Sequence, residues 1–173
     1  MAIKDILPSK LGFDAAPLGN MFRDIPEPEA RATVEAAWND GIRYYDNAPF
    51  YGAGLAEIRM GAALADKPRD QYVISTKVGR VILDEVEDVS ARDLGEKGDV
   101  FKYGRPNKIV NDYSADATLR SIEDSLKRLD TDHIDIAFVM TLPRTFMATN
   151  GSMFSKPPAR APSGYSTNCA TKA

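Results

Sequence analysis

Residues 42–57 read IRYYDNAPFYGAGLAE, and this stretch decides the fold. Its first four residues, Ile42 to Tyr45, form an apolar and aromatic run of the length expected for a buried strand. The run ends on Asp46. Pro49, Gly52 and Gly54 punctuate the turn that follows, and a helical pattern begins at Leu55. Asp46 therefore closes a strand, and Tyr51 stands five residues later in the loop. In a barrel of alternating strands and helices, chemistry is carried at that carboxyl end of the strands. Taken singly, the two residues also fit a buried Asp capping its turn and a Tyr packed beneath a loop.

The next strand runs from Tyr72 to Lys77, YVISTK, and is followed by Val78 and Gly79. Alternation puts Val73, Ser75 and Lys77 on one face. A lysine closing such a row needs a partner, and Asp46, at the end of the preceding strand, is the obvious one. An Asp, a Tyr and a Lys converging at one rim suit carbonyl reduction. Hydride arriving at the carbonyl carbon leaves charge on oxygen, and a positioned acid must supply a proton. A phenol titrates near pH ~10 unperturbed, and a neighbouring ammonium is expected to lower that value.

Four segments now come together: APLGNMF (16–22), GIRYYDNAPFYGAGLAEIRMG (41–61), VISTKVGR (73–80) and LRSIEDSLKRLDTDHIDIAFV (119–139). They resemble the aldo-keto reductases, closest to the bacterial branch of D-threo-aldose (L-fucose) 1-dehydrogenases and pyridoxal 4-dehydrogenases. The resemblance runs from about Leu11 to Val139. It implies an NAD(P)-dependent oxidoreductase, with NAD or NADP as cofactor and a small-molecule aldehyde, aldose or lactol as substrate. The family's catalytic set is Asp, Tyr, Lys and His, and the first three fall on Asp46, Tyr51 and Lys77. Tyr51 is then the proton donor or acceptor, Lys77 the modulator of its pKa, and Asp46 the anchor of the lysine. The histidine belongs directly after the fourth strand, in a pattern reading IDI-x-x-V-H, and that position is Met140. His133, the one histidine in the chain, precedes the strand and belongs at the opposite rim. The resemblance also places the nicotinamide ring beside the loop of Gly19, Asn20 and Met21 and near Asp46, although Gly19 equally suits an ordinary turn.

Along the chain, a first strand is expected between Leu11 and Asn20. A helix follows from near Pro28, with Pro at its start and Glu27 and Glu29 favourable against the helix dipole. Ala30, Val34, Ala37 and Trp38 form its apolar stripe and Gly41 its stop. The second helix presents Leu55, Ile58, Ala62 and Ala65 and ends before Pro68. The third starts after Ser114, an N-cap residue, with Leu119, Ile122, Leu126 and Leu129 as its buried face. Ile134 to Val139 is the fourth strand. Between Gly79 and Tyr113 runs a connection longer than compact domains usually carry. It contains VILDEVEDVS, a hairpin arm, and then DLGEKGDVFKYGRPN. Its position after the lysine strand suits either a substrate-facing lid or a solvated decorative loop.

Strand–helix three times and then a strand implies parallel pairing with right-handed crossovers. The fold class is α/β, the first half of a (β/α)8 TIM barrel, which takes ~250 residues when whole. Residues 1–139 make up this half barrel. Residues 140–173 are different: all 25 acidic residues and 18 of the 22 basic ones lie before them. Pro143, Pro157, Pro158 and Pro162 interrupt this tail, no apolar periodicity emerges, and it is expected to be unstructured. A shifted reading frame is the expected explanation, with a divergent functional tail as the alternative.

Hydrophobic residues make up 43% and charged residues 27% of the 173, which suits a globular chain. No apolar run approaches the ~20 residues of a membrane span, and no signal peptide is visible. One cysteine, Cys169, excludes an internal disulfide framework and suits a cytoplasmic location. A net charge of −3 without a basic stripe argues against nucleic acid. No metal site is expected. The phosphate-binding loops of a barrel follow its late strands, so the 173 residues are expected to be inactive alone. Self-association through an exposed barrel edge is expected as well. A reading of another class stays open: a non-catalytic fragment or a regulatory module derived from a barrel.

Overall fold

The computed structural model describes residues 6–89 and 100–140. The expectations for residues 141–173 lie outside the described residues. The element order is β1 (Phe13–Asp14), a 3-10 turn (Ala16–Gly19), α1 (Glu27–Asn39), β2 (Tyr44–Asp46), α2 (Leu55–Leu64), a second 3-10 turn (Arg69–Gln71), β3 (Val73–Val78), β4 (Arg80–Val86), β5 (Asn107–Asn111), α3 (Ala115–Leu129) and β6 (Ile136–Val139).

Strands β1, β2, β3 and β6 form one parallel sheet in that order. Each is joined to the next through a helix, so three strand–helix units and a closing strand are present, as in the first half of an eight-stranded barrel. β4 and β5 pair antiparallel as a separate arm, with Val81 opposite Val110 and Ile82 opposite Ile109. The arm stands where the sequence placed a hairpin.

Register sorts the side chains. Asp14 pairs with Asp46, Asp46 with Ser75, and Ser75 with Ile136. Tyr44, Asp46, Ser75 and Lys77 therefore share one face, and Tyr45, Ile74, Thr76 and Val78 share the other. The second face meets the helices: Tyr45 and Ile74 pack with Ala30 and Val34 of α1, Ala56, Met60 and Leu64 of α2, and Leu129 of α3.

α1 buries Ala30 and Val34 as its stripe requires, and Gly41 takes a left-handed φ of +85° just after the helix. α2 and α3 differ from the sequence reading. α2 buries Ala56, Glu57, Arg59, Met60, Gly61, Ala63 and Leu64, whereas Ile58, Ala62 and Ala65 face outward. α3 buries Ser121, Ser125 and Leu129, whereas Leu119 is 62% exposed and Ile122 and Leu126 are half-buried. The physical reason is close approach. A Cβ on Gly61 would lie 2.5 Å from the Leu129 carbonyl oxygen, so the two helices meet through their smallest residues rather than their largest. The charges that this contact buries are paired: Glu57 accepts from Arg128 Nε at 2.7 Å and from Thr76 Oγ1 at 2.7 Å. Among the described residues no helix is long and apolar enough to cross a membrane.

Candidate active site

Three elements meet at the carboxyl end of the parallel strands. β2 ends on Asp46, β3 carries Lys77 one residue before its end, and the loop between β2 and α2 carries Tyr51. Lys77 Nζ donates to Asp46 Oδ2 at 2.7 Å, to the Asn47 carbonyl oxygen at 2.8 Å and to the Tyr51 hydroxyl at 3.3 Å. The other carboxylate oxygen of Asp46 accepts from Ser75 Oγ at 2.5 Å, and Ser75 Oγ lies 3.0 Å from the Tyr44 hydroxyl. One cation is thus held in a fixed place by a carboxylate and a carbonyl, with a phenol as its third contact. Asp46, Tyr51 and Lys77 are each partly buried.

The electrostatics depart from the sequence expectation at Tyr51. Burial is the largest influence on its phenol and raises the pKa; the charge and hydrogen bond of Lys77 pull it down, and Asp14 and Asp46 push it up. The net direction is upward, so Tyr51 holds its proton rather than shedding it early. Burial is also the largest influence on Lys77 and disfavours its charge, but the hydrogen bond and charge of Asp46, joined by Tyr51, outweigh it and raise its pKa. The pair is a protonated phenol beside an ammonium. That arrangement can donate a proton and then stabilise the phenolate it leaves.

The remaining residues take these places. Gly19 is buried, and a Cβ there would lie 2.5 Å from the Tyr51 carbonyl carbon, so it is needed for the two loops to meet. Asn20 is buried with φ +63°, and its side chain is fully engaged within the fold. Its Oδ1 accepts from the Ile25 amide and Arg59 Nη1, and its Nδ2 donates to Asp24 and to the Tyr103 carbonyl. Met21 is half-buried beside it. The Met140 amide donates to the Val78 carbonyl at 2.9 Å, which continues the β3–β6 ladder and leaves Met140 at the same rim as Lys77. His133 lies before β6, where its carbonyl accepts from Arg69, at the opposite end of the strands. Among the described residues no group of acidic, His or Cys side chains is arranged to hold a metal ion.

Sequence reasoning gave Ser75 no role and passed over Asn47 and Phe101. Ser75 shares Lys77's face by alternation, and that signal was available. The Asn47 contact is made by a main-chain carbonyl. Phe101, 4% exposed, lies with its ring 5.7 Å from that of Tyr51, fifty residues away in the chain.

The Aldo/keto reductase family profile matches residues 10–146. The chain is 43% identical over 131 residues to a D-threo-aldose 1-dehydrogenase from a Pseudomonas species, covering 75% of this chain and 39% of that one. It is 38% identical over 137 residues to a pyridoxal 4-dehydrogenase from Microbacterium luteolum, covering 78% and 40%. An aldo-keto reductase from Bacillus halodurans, solved in a holo form, superposes with a TM-score of 0.56 at 30% identity, covering 76% of this chain and 35% of that one. The chain therefore spans about two fifths of the length of these curated relatives. A profile match over most of the residues, with the Asp46–Lys77–Tyr51 geometry inside it, places this chain in the aldo/keto reductase family.

Proposed function

We propose that this chain carries the proton-transfer centre of an NAD(P)-dependent oxidoreductase acting on an aldose, lactol or small aldehyde. The observation that carries the reading is the Lys77 ammonium, which contacts both the Asp46 carboxylate and the Tyr51 hydroxyl. The relatives' names, D-threo-aldose 1-dehydrogenase and pyridoxal 4-dehydrogenase, support the substrate class.

The donor set fits the reacting end of a nicotinamide cofactor. It offers a proton and a fixed cation, and it contains no group that itself releases hydride. The bound nicotinamide would supply or accept that hydride. With the Asn20 side chain spent inside the fold, Met21, the backbone of Gly19 and Asn20, and the Asp46 rim would border the ring. In reduction, Tyr51 gives its hydroxyl proton to the carbonyl oxygen as the carbon is reduced. Lys77 stabilises the phenolate that remains, and Asp46 keeps the ammonium in place. In oxidation Tyr51 takes the same proton back. The described strands correspond to the first half of a barrel, and the 173-residue chain alone is expected to turn over near background. Met140, which has no N–H or O–H on its side chain, adds to that expectation.

The test is a fusion of residues 1–139 to the complementary C-terminal part of the Pseudomonas dehydrogenase, assayed with NAD and NADP on D-threo-aldoses and pyridoxal. Turnover that Tyr51→Phe abolishes supports the reading. A fusion that binds cofactor and shows no Tyr51-dependent turnover would instead support a non-catalytic role.

A further inference from the structure

Residues 100–105, on the approach to β5, are tied to the two loops that build the site. The Phe22 amide donates to the Val100 carbonyl at 3.0 Å, Asn20 Nδ2 to the Tyr103 carbonyl at 2.9 Å, and the Arg105 amide to the Gly52 carbonyl at 3.1 Å. The closest approach to the Tyr51 loop is backbone to backbone, and Arg105 Nη1 adds a hydrogen bond to the Ala53 carbonyl at 3.2 Å. A Cβ on Gly104 would lie 2.6 Å from Gly52 Cα, and one on Gly52 would lie 2.2 Å from the Gly19 carbonyl oxygen. Glycines from three separate segments are stacked here, and side chains on them would force the segments apart. The stack seats Phe101. Its ring meets Phe50 edge-on at 5.2 Å and lies tilted by 34° against Tyr51 at 5.7 Å. Lys77 Nζ stands 4.9 Å from the same Tyr51 ring.

We infer that Phe101 is a positioning residue for Tyr51: clasped in place by Gly104 against Gly52, it holds the phenol ring so that the hydroxyl stays on Lys77 and keeps water from the ring. The inference rests on Tyr51 being the proton-transfer group. It gives residues 100–105 a role distinct from either a substrate-facing lid or a solvated decorative loop. Phe50 and Tyr51 are consecutive and Phe101 touches both rings, so loss of one large side chain would free both. Burial raises the Tyr51 pKa against the pull of Lys77, and Phe101 is the ring that lies against Tyr51 from this segment.

The experiment titrates Tyr51 in the 173-residue chain carrying tyrosine labelled with 13C at Cζ, the resonance being assigned with Tyr51→Phe. Phe101→Ala should lower the Tyr51 pKa by about half a unit or more, because burial falls while Lys77 remains. Phe101→Leu, which restores the apolar cover, should keep it near the parent value. Gly104→Ala leaves Phe101 intact but pushes the arm off Gly52, and it should act like Phe101→Ala. Nuclear Overhauser contacts between the two rings should be present in the unaltered chain, and they decide the matter if the variants fail to fold. Absence of those contacts, or folded Phe101→Ala and Gly104→Ala variants with an unmoved Tyr51 pKa, would overturn the inference. Lys77→Met should raise the Tyr51 pKa. If it does not, the Lys77–Tyr51 partnership behind the proposed function fails, independently of Phe101.

Discussion

The carboxylate of Glu57, wholly buried on α2, accepts a hydrogen bond from Arg128 of α3 at 2.7 Å, and Thr76 of β3 supplies a second. One acid joins two helices to the sheet directly behind Lys77. Removing one partner of a buried pair strands the other charge, and that typically costs about 3–5 kcal/mol. Glu57→Ala should therefore lower the urea midpoint sharply. Replacing both residues, with Glu57→Leu and Arg128→Met, should be less harmful than Glu57→Ala, because no charge is left without a partner. A double-mutant cycle in urea checks both outcomes.

Two buried asparagines should respond in opposite ways. All of Asn20's side-chain hydrogen-bonding positions are used, one of them by Arg59, itself 7% exposed. Asn20→Ala leaves buried groups unsatisfied at ~1–3 kcal/mol each and should be strongly destabilising. Asn47 is more deeply buried still, but among the described residues its Nδ2 and Oδ1 have no partner. Its contacts to the site run through the main chain: its carbonyl accepts from Lys77 and its amide donates to the Ser75 carbonyl. Asn47→Leu, of similar size, should cost little or stabilise by up to ~1–3 kcal/mol, since no side-chain hydrogen bond among the described residues is lost. Thermal midpoints of the two variants test the contrast.

These cases show what the sequence could reveal. Strands, helices and the Asp46–Tyr51–Lys77 trio were legible because each depends on local spacing: a strand's last residue, a loop offset of five, a period of two. The buried faces of α2 and α3 were not. Periodicity locates large apolar residues, but α2 meets α3 through Gly61, and α3 buries Ser121 and Ser125 rather than Leu119, Ile122 or Leu126. Buried Glu57 and Arg59 look like surface residues until Arg128, Thr76 and Asn20 are brought to them. The direction of the Tyr51 shift was hidden for a related reason. The ammonium stands on the next strand, whereas the ring of Phe101 reaches Tyr51 from fifty residues away.

The Lys77 pKa should depend on Asp46 in a definite direction. Burial is the largest influence on the ammonium and lowers its pKa, while Asp46, joined by Tyr51, overrides it. Asp46→Ala removes the larger part of that support, so the Lys77 pKa should fall from its raised value. Titration of the 13C-labelled Cε resonance of Lys77 reads the change. A Lys77 pKa unmoved by Asp46→Ala would show that the carboxylate does not hold the ammonium in solution.

Alkaline conditions should unfold the chain. Burial pushes Tyr45 up to about 12, and it raises Tyr51 and Tyr72 as well, while Lys77 is raised by Asp46 despite its own burial. Above pH ~10 the unfolded chain releases these protons first, so the folded state binds more of them and stability falls with rising pH. Tyr45 alone, wholly buried and donating to the Ile42 carbonyl at 3.0 Å, should account for on the order of 2–3 kcal/mol by pH 12. Urea midpoints between pH 9 and 12 should decline, and Tyr45→Phe should make that decline shallower.

Activity should respond to Met140 only when the rest of a barrel is supplied. Met140 extends the β6 ladder to the rim where Lys77 and Tyr51 stand, and a thioether donates no hydrogen bond to a carbonyl oxygen. A histidine there could donate one, and an oxyanion-type donor is often worth a factor of about a hundred or more in rate. That factor acts only on a substrate and cofactor already held in reacting geometry, and such positioning can account for ~7–11 kcal/mol of a barrier. In the 173-residue chain, Met140→His should therefore leave turnover at background. In a fusion retaining residues 1–140 and completed by the C-terminal part of the Pseudomonas relative, the same substitution should raise kcat about a hundredfold, with KM changing less. Equal rates for that fusion with and without Met140→His would show that the proton held by Tyr51 is sufficient, and that the fourth position contributes nothing to this chain's chemistry.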